Sequence, residues 1–161
     1  MAIERASLVV ESLNALNEAV QDTLETLTFK EAQPVDAANI VSLRAPCYIT
    51  TVAVNRPYCG VIRLKIGRDL AIGLVGSMLG STQPIEEAWV HDGLSELVNT
   101  IGGRILARLV DAYSSFDLGI PETVFVEKES GPAEGVLIRQ IFAVDEGSIE
   151  LELEFKKAQA A

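Results

Sequence analysis

The stretch Ser148-Ile149-Glu150-Leu151-Glu152-Leu153-Glu154-Phe155 alternates apolar and acidic residues without a break. That period of two puts Ile149, Leu151, Leu153 and Phe155 on one face of a strand and Glu150, Glu152 and Glu154 on the other, facing out. A strand that is wet on one side belongs to an antiparallel sheet, because parallel strands are covered on both faces. Asp145-Glu146-Gly147 reads as a hairpin turn that pairs this strand with GVLIRQIFAV from residue 135. A second hairpin is legible in 48–54 (YITTVAV) and 60–66 (GVIRLKI), which bracket Asn55-Arg56-Pro57-Tyr58. Its second arm alternates Ile62, Leu64 and Ile66 with Arg63 and Lys65, again one face buried and one wet. With TVFVEK from Thr123, the chain holds material for about five or six strands.

Three helices complete the pattern. Leu13, Leu16, Val20, Leu24 and Leu27 recur at helical spacing over residues 3–27, with Glu11, Glu18, Asp22 and Glu25 between them. Residues 69–79 form a short apolar helix closed by Gly80. Its Gly73 and Gly76 each cost roughly 1 kcal/mol relative to Ala, so a closely packed neighbour is expected there. Pro84 suits the first position of a third helix running to about residue 113, with Glu86 and Glu87 in its first turn. Thr28 to Asn39, with Pro34 and no period, reads as a connector.

The fold class is therefore α+β: an antiparallel-rich β-sheet covered by a long N-terminal helix, a short Gly-rich helix and a long third helix. No linker or composition break divides residues 1–161, which read as one domain, with 156–161 a flexible tail.

Composition removes whole classes of function. The net charge of −10 repels phosphate backbones and anionic membranes, so nucleic acid and membrane surfaces are not expected partners. No apolar run reaches the ~18 residues of a membrane-spanning helix, and the first residues carry no leader pattern, which points to a soluble, cytoplasmic protein. One histidine and two cysteines make no metal cluster. If the first hairpin turns between Arg56 and Pro57, Cys59 faces about Val54 rather than Cys47, so both cysteines read as buried thiols. The glycines at 73, 76 and 80 lack the Gly-Lys-Ser/Thr of a phosphate loop, and no Gly-x-Ser-x-Gly occurs.

The informative segment is His91 to Gly103 on the third helix. At ~100° per residue, Asp92, Glu96, Asn99 and Gly103 fall within about 60° of one another, while Leu94, Leu97, Val98, Ile101 and Ile105 take the opposite side. A carboxylate and a carboxamide thus stand side by side on a wet stripe, with a glycine notch beyond them. Polar residues on a wet helix face are the norm, so a merely solvated stripe is the plain alternative. His91 lies about 100° off the Asp92 direction and reads as a surface histidine. Trp89 precedes the stripe and is assigned to core or interface packing.

Asp92-x-x-x-Glu96-x-x-Asn99, then roughly twenty residues to Pro121 before a strand, resembles the signature of the CheC/CheX chemotaxis phosphatases. Gly103, the apolar helix ending Met78-Leu79-Gly80 and the strand GVIRLKI agree with it, and the resemblance covers about residues 7–155. One main motif in a chain of this length is similar to the CheX branch rather than the longer, two-motif CheC branch. The resemblance implies an enzyme that hydrolyses the aspartyl phosphate of a CheY-like receiver domain, and a homodimer. It implies that Asn99 orients the attacking water, that Glu96 pairs with the receiver's active-site lysine, that Gly103 belongs to the docking surface, and that Asp92 either belongs to it or stabilises the helix. Magnesium would reside in the receiver, and this chain needs no metal of its own. The alternative is a non-catalytic receiver-binding or flagellar-switch-like module of the same fold. Ser7-x-x-x-Glu11-x-x-Asn14 on the first helix also fits the pattern, with Pro34 at nearly the matching distance. Two-motif relatives carry a catalytic pair on that helix, but here Glu18 stands where the glycine belongs.

Overall fold

The computed structural model describes the backbone of residues 2–36, 43–56, 58–109, 116–128 and 138–157, and side chains from residue 8 within these ranges, those of 58 and 155–157 excepted. Helix α1 (Ala2–Thr28) is followed by strands β1 (Ala32–Pro34), β2 (Cys47–Arg56) and β3 (Tyr58–Ile66). Helices α2 (Arg68–Leu79) and α3 (Glu87–Leu109) come next, then β4 (Asp117–Leu118), β5 (Glu122–Val126), β6 (Ile138–Val144) and β7 (Gly147–Lys157). The strands form one antiparallel sheet in the order β1-β6-β7-β3-β2-β4, with β5 also paired to β2. The fold is α+β, as the alternation of periods implies.

The sheet has seven strands rather than five or six. Strand β1 lies inside the stretch read as a connector and is three residues long, and β4 has two. Neither length can display a period. Residues 156 and 157, expected in the tail, belong to β7, with Lys156 opposite Cys59 and Lys157 opposite Tyr58. Residues 158–161, and 110–113 at the expected end of the third helix, lie outside the described residues.

Register explains the core. Phe125, Tyr48, Ile66, Ile149 and Phe142 form one row across five strands, and Val52, Ile62, Leu153 and Ile138 form another. Tyr48, Phe142, Val52, Ile62, Ile66, Ile149 and Leu153 are fully shielded from solvent. Against this face lie Leu16, Val20 and Leu24 of α1, Ala71, Leu74 and Val75 of α2, and Leu94, Leu97, Val98, Ile101 and Ile105 of α3.

The opposite face of the sheet corrects one expectation. Glu150 and Glu152 do point away from the helices, but they are buried, at 0% and 4% exposure. The register sets cations beside them on both neighbouring strands: Arg63 and Arg139 flank Glu152, and Lys65 flanks Glu150. Arg63 meets Glu152 at 2.8 Å, Lys65 meets Glu152 at 3.2 Å, and Arg139 meets Glu150 at 3.2 Å. The long cationic stems cover the carboxylates while their own heads reach water. Strand β7 is accordingly interior to the sheet, so its glutamates guard no edge.

The register of the hairpin lies one half-step from the expected one, and Cys59 falls opposite Asn55 by it. Neither cysteine is in a disulfide, but of the two thiols expected to be buried only Cys47 is, while Cys59 is exposed. Helix α3 starts at Glu87, so Pro84 lies ahead of the helix instead of in its first turn. Gly80 closes α2 in the left-handed conformation at φ 61°, as its place after the apolar run requires.

Candidate functional site

Helix α3 is held by both ends of its inner face. Near its start, the buried Tyr48 donates its phenolic O–H to Glu87 Oε1 at 2.8 Å, and Arg68 reaches the other carboxylate oxygen at 3.3 Å. The hydrogen bond from Tyr48 is the chief reason the Glu87 carboxyl sits below the usual carboxylate range. Burial, above all, pushes the Tyr48 phenol up, and the adjoining carboxylate adds to it. About two turns on, Ser95 shares a hydrogen bond with Thr123 of β5 at 3.2 Å, and Thr123 shares one with Thr50 of β2 at 2.8 Å. Farther along, a Cβ on Gly102 would come 3.2 Å from Ile62 and 3.4 Å from Leu118. These anchors fix the rotation of the helix. They also bring the segment that carries Pro121 alongside it, because Leu118 and Thr123 bracket that proline.

With the rotation fixed, Leu94, Leu97, Val98, Ile101 and Ile105 are fully buried, and Asp92, Glu96 and Asn99 are exposed. Glu96 and Asn99 stand three residues apart, so their Cβ atoms are about 5–6 Å from each other on one face. Gly103 completes the stripe, and an added Cβ there would meet nothing within 4 Å. No internal contact therefore requires that glycine. Gly93 is the opposite case: its Cβ would lie 2.5 Å from a methyl of Val75, so α2 rests directly on α3 at this point. The close approach expected at Gly73 and Gly76 is absent, since added Cβ atoms there meet nothing within 4 Å. The glycine that α2 and α3 need is on the other helix. It could have been noticed as the non-polar gap in His91-Asp92-Gly93.

Several carboxylates outside the stripe are paired within the chain. Glu18 and Asp22 pair with Arg108 at 3.0 and 2.7 Å, Glu87 with Arg68 at 3.3 Å, and Asp145 with Lys30 at 3.0 Å. Among the described residues, no cation lies within 4 Å of Asp92 or Glu96. Glu96 accepts one long hydrogen bond, from Thr100 at 3.5 Å. Two carboxylates on an exposed helix face, with no cation beside them among the described residues, are open to charge from outside.

His91 departs from the surface reading. It is half-buried, stacks edge-on to Tyr48 with ring centroids 5.6 Å apart, and brings Nε2 to 3.4 Å from Glu87. It belongs to the anchor under the helix. Trp89 is 53% exposed, which sets aside the core half of its reading and leaves the interface half.

The second match is divided. Glu11 and Asn14 are exposed on α1, and the Ser7 side chain lies outside the described residues. Helices α1 and α3 run antiparallel: Arg104 donates to Thr23 and Thr26, while Arg108 reaches back to Glu18 and Asp22. Glu11/Asn14 and Glu96/Asn99 therefore lie toward opposite ends of the helix pair. At the position equivalent to Gly103, Glu18 is drawn into the bridge to Arg108, so a charged tie replaces the notch.

Among the described residues, no three His, Cys, Asp or Glu side chains gather to hold a metal ion, and no helix is long and apolar enough to cross a membrane. The sequence model for the chemotaxis phosphatase CheX matches residues 48–133, just over half of the chain. The match includes Asp92 to Pro121 and leaves out Ser7 to Asn14. Comparison with curated protein sequences gives no match. Among solved structures, a CheX chemotaxis protein from Desulfovibrio desulfuricans is similar with a TM-score of 0.75 at 19% identity, over 91% of this chain and 99% of that one. CheX in the CheX-CheY-BeF3-Mg2+ complex of Borrelia burgdorferi gives 0.73 at 16% identity, over 89% and 97%. The Thermotoga maritima protein FliY gives 0.64 at 10% identity, over 94% and 90%.

Proposed function

The chain belongs to the CheX family of chemotaxis phosphatases, and from that premise we propose that it removes the phosphoryl group from the aspartyl phosphate of a CheY-like receiver domain. The observation that carries this reading is the α3 stripe: Asp92, Glu96 and Asn99 exposed together, the two carboxylates without a cation among the described residues, and Gly103 open with nothing packed against it. Asn99 enters the receiver's site. Its carboxamide both accepts from and donates to a water, and so holds that water in line with the phosphorus without competing as a nucleophile. The water oxygen bonds to phosphorus as the bond to the aspartyl oxygen breaks. Aspartate is regenerated, inorganic phosphate leaves, and the water's proton passes to phosphate and solvent. Glu96 pairs with the receiver's lysine and keeps the two surfaces in register. The backbone clearance at Gly103 lets the receiver approach α3 closely. Magnesium is the receiver's own, and the chain contributes no metal ligand. In support, a CheX of Borrelia burgdorferi has been solved together with CheY, BeF3 and Mg2+.

A non-catalytic docking module is the competing reading. The likeness to FliY extends to the fold alone at 10% identity. Retention of both Glu96 and Asn99 on the exposed face favours hydrolysis. Phosphate release from an acetyl-phosphate-labelled receiver separates the two readings: acceleration supports the phosphatase, and complex formation without acceleration supports the module. The receiver locates the protein in the cytoplasm.

We also propose a homodimer. The interior position of β7 removes it as the interface, and the strands at the sheet borders are β1 on one side and β4 and β5 on the other. Light scattering at micromolar concentration is expected to return about twice the 17.3 kDa chain mass. A value at the chain mass contradicts the dimer.

A further inference from the structure

Trp89 is the chain's single tryptophan, and it lies seven residues before Glu96. Seven residues on an α-helix bring a side chain back to within about 20° of the same direction, some 10 Å along the axis. The exposed indole thus extends the Asp92–Glu96–Asn99–Gly103 stripe toward the start of α3. It stands out in the open for a residue of its size, at 53% exposure. Among the described residues, its ring has no aromatic or cationic neighbour and its indole N–H no acceptor.

The surroundings of the ring are acidic. Glu86 is three residues before it and Asp92 three residues after, both exposed, and neither has a cation within 4 Å among the described residues. Asp92 is a neighbour of Trp89 on the helix surface, and Glu86 is the residue just before α3, its carbonyl accepting from the backbone N–H groups of Trp89 and Val90 at 3.0 and 3.2 Å, which puts it at the same end of the helix. Four residues after Trp89 is Gly93, which has no side chain to lie over the ring. No Lys or Arg occurs anywhere between Arg68 and Arg104, so α3 brings no lysine or arginine of its own to this end. An exposed aromatic face at a helix end that carries unpaired carboxylates suits a cation, joining attraction to the ring quadrupole with ionic attraction.

We infer that Trp89, flanked by Glu86 and Asp92, is a second anchor for the receiver domain and takes an arginine or lysine side chain lying about 10 Å from the lysine that meets Glu96. The inference rests on the receiver-docking reading of the stripe and adds to it the specificity of the contact: the fitting receiver carries two cations at that separation. Trp89 is a docking residue and touches no reacting atom. It acts on affinity and leaves the rate at saturation to Asn99.

The test uses the intact protein and a tryptophan-free receiver loaded with beryllofluoride and Mg2+ as a stable stand-in for the phosphorylated form. Because Trp89 is the sole tryptophan, its emission reports this site directly. Saturable quenching or a spectral shift is expected on titration, weakened by rising salt. In steady-state dephosphorylation, Trp89→Ala is expected to raise KM about tenfold at unchanged kcat, Trp89→Phe to recover most of the affinity, and Trp89→Lys to do worse than Ala. Circular dichroism melting checks that each variant is folded. Unchanged emission together with an unchanged KM for folded Trp89→Ala and Trp89→Lys overturns the inference. So does a shift from dimer to monomer in Trp89→Ala with KM unaltered, which assigns the face to a second copy of the chain. Either outcome alongside an inactive Asn99→Ala leaves the phosphatase reading standing, whereas an active Asn99→Ala removes that reading first.

Discussion

Gly93 and Gly103 sit ten residues apart on one helix and are glycine for opposite reasons. At Gly93 the methyls of Val75 occupy the space a Cβ would need, at 2.5 and 2.6 Å. Gly93→Ala must push α2 from α3 or force Val75 off its rotamer, a loss of about 1–3 kcal/mol. At Gly103 nothing stands within 4 Å, so Gly103→Ala removes a helix-weakening residue at no steric cost and should add up to ~1 kcal/mol. The two variants should move the melting temperature in opposite directions, down for Gly93→Ala and up for Gly103→Ala. The second should nonetheless dephosphorylate a subsaturating receiver more slowly, because its methyl enters the docking gap. A Gly103→Ala chain with full activity removes the docking explanation of that glycine.

Among the elements, the contrast between α1 and α3 decides which Glu/Asn pair works. On α3 the position four residues after Asn99 is bare backbone. On α1 the position four after Asn14 is Glu18, tied to Arg108 at 3.0 Å. Glu11→Ala and Asn14→Ala should therefore leave receiver dephosphorylation within about twofold of the parent rate, given that exposed substitutions away from a site change little. Loss of activity only when both pairs are removed would show two working sites and place the chain with its two-motif relatives. In the sheet, β7 takes its stability from both faces. Glu152 is 4% exposed between Arg63 and Lys65. Glu152→Ala should cost about 2 kcal/mol, as the loss of charge-assisted hydrogen bonds to cations that can still turn to water. Urea denaturation of the variant measures it, and a midpoint matching the parent contradicts the account of that face.

At the scale of the molecule, the legible features were those that repeat within one element. The 3.6-residue period of α3 assigned Leu94, Leu97 and Val98 to the core and Asp92, Glu96 and Asn99 to water, and the structure places them so. The two-residue period of β7 assigned its faces correctly but not their burial. Glu150 is covered because β3 and β6 bring Lys65 and Arg139 against it, and that depends on a register set by distant residues. Strands of two or three residues carried no period at all, and the glycine at the α2–α3 contact belonged to the helix not suspected of it. The cations follow the same division. They are drawn to Glu18, Asp22, Glu87, Glu150 and Glu152 across the fold, and the stretch from residue 69 to 103 has none of its own. The molecule thus keeps an acidic face with Asn99 in it. Whether that face performs hydrolysis is tested most directly by the rate of phosphate release from a phosphorylated receiver with Asn99→Ala in place of the parent chain. The account expects the stimulated rate to fall ~10²-fold or more, with melting temperature and receiver binding preserved. A folded Asn99→Ala protein that dephosphorylates the receiver at the parent rate would contradict it.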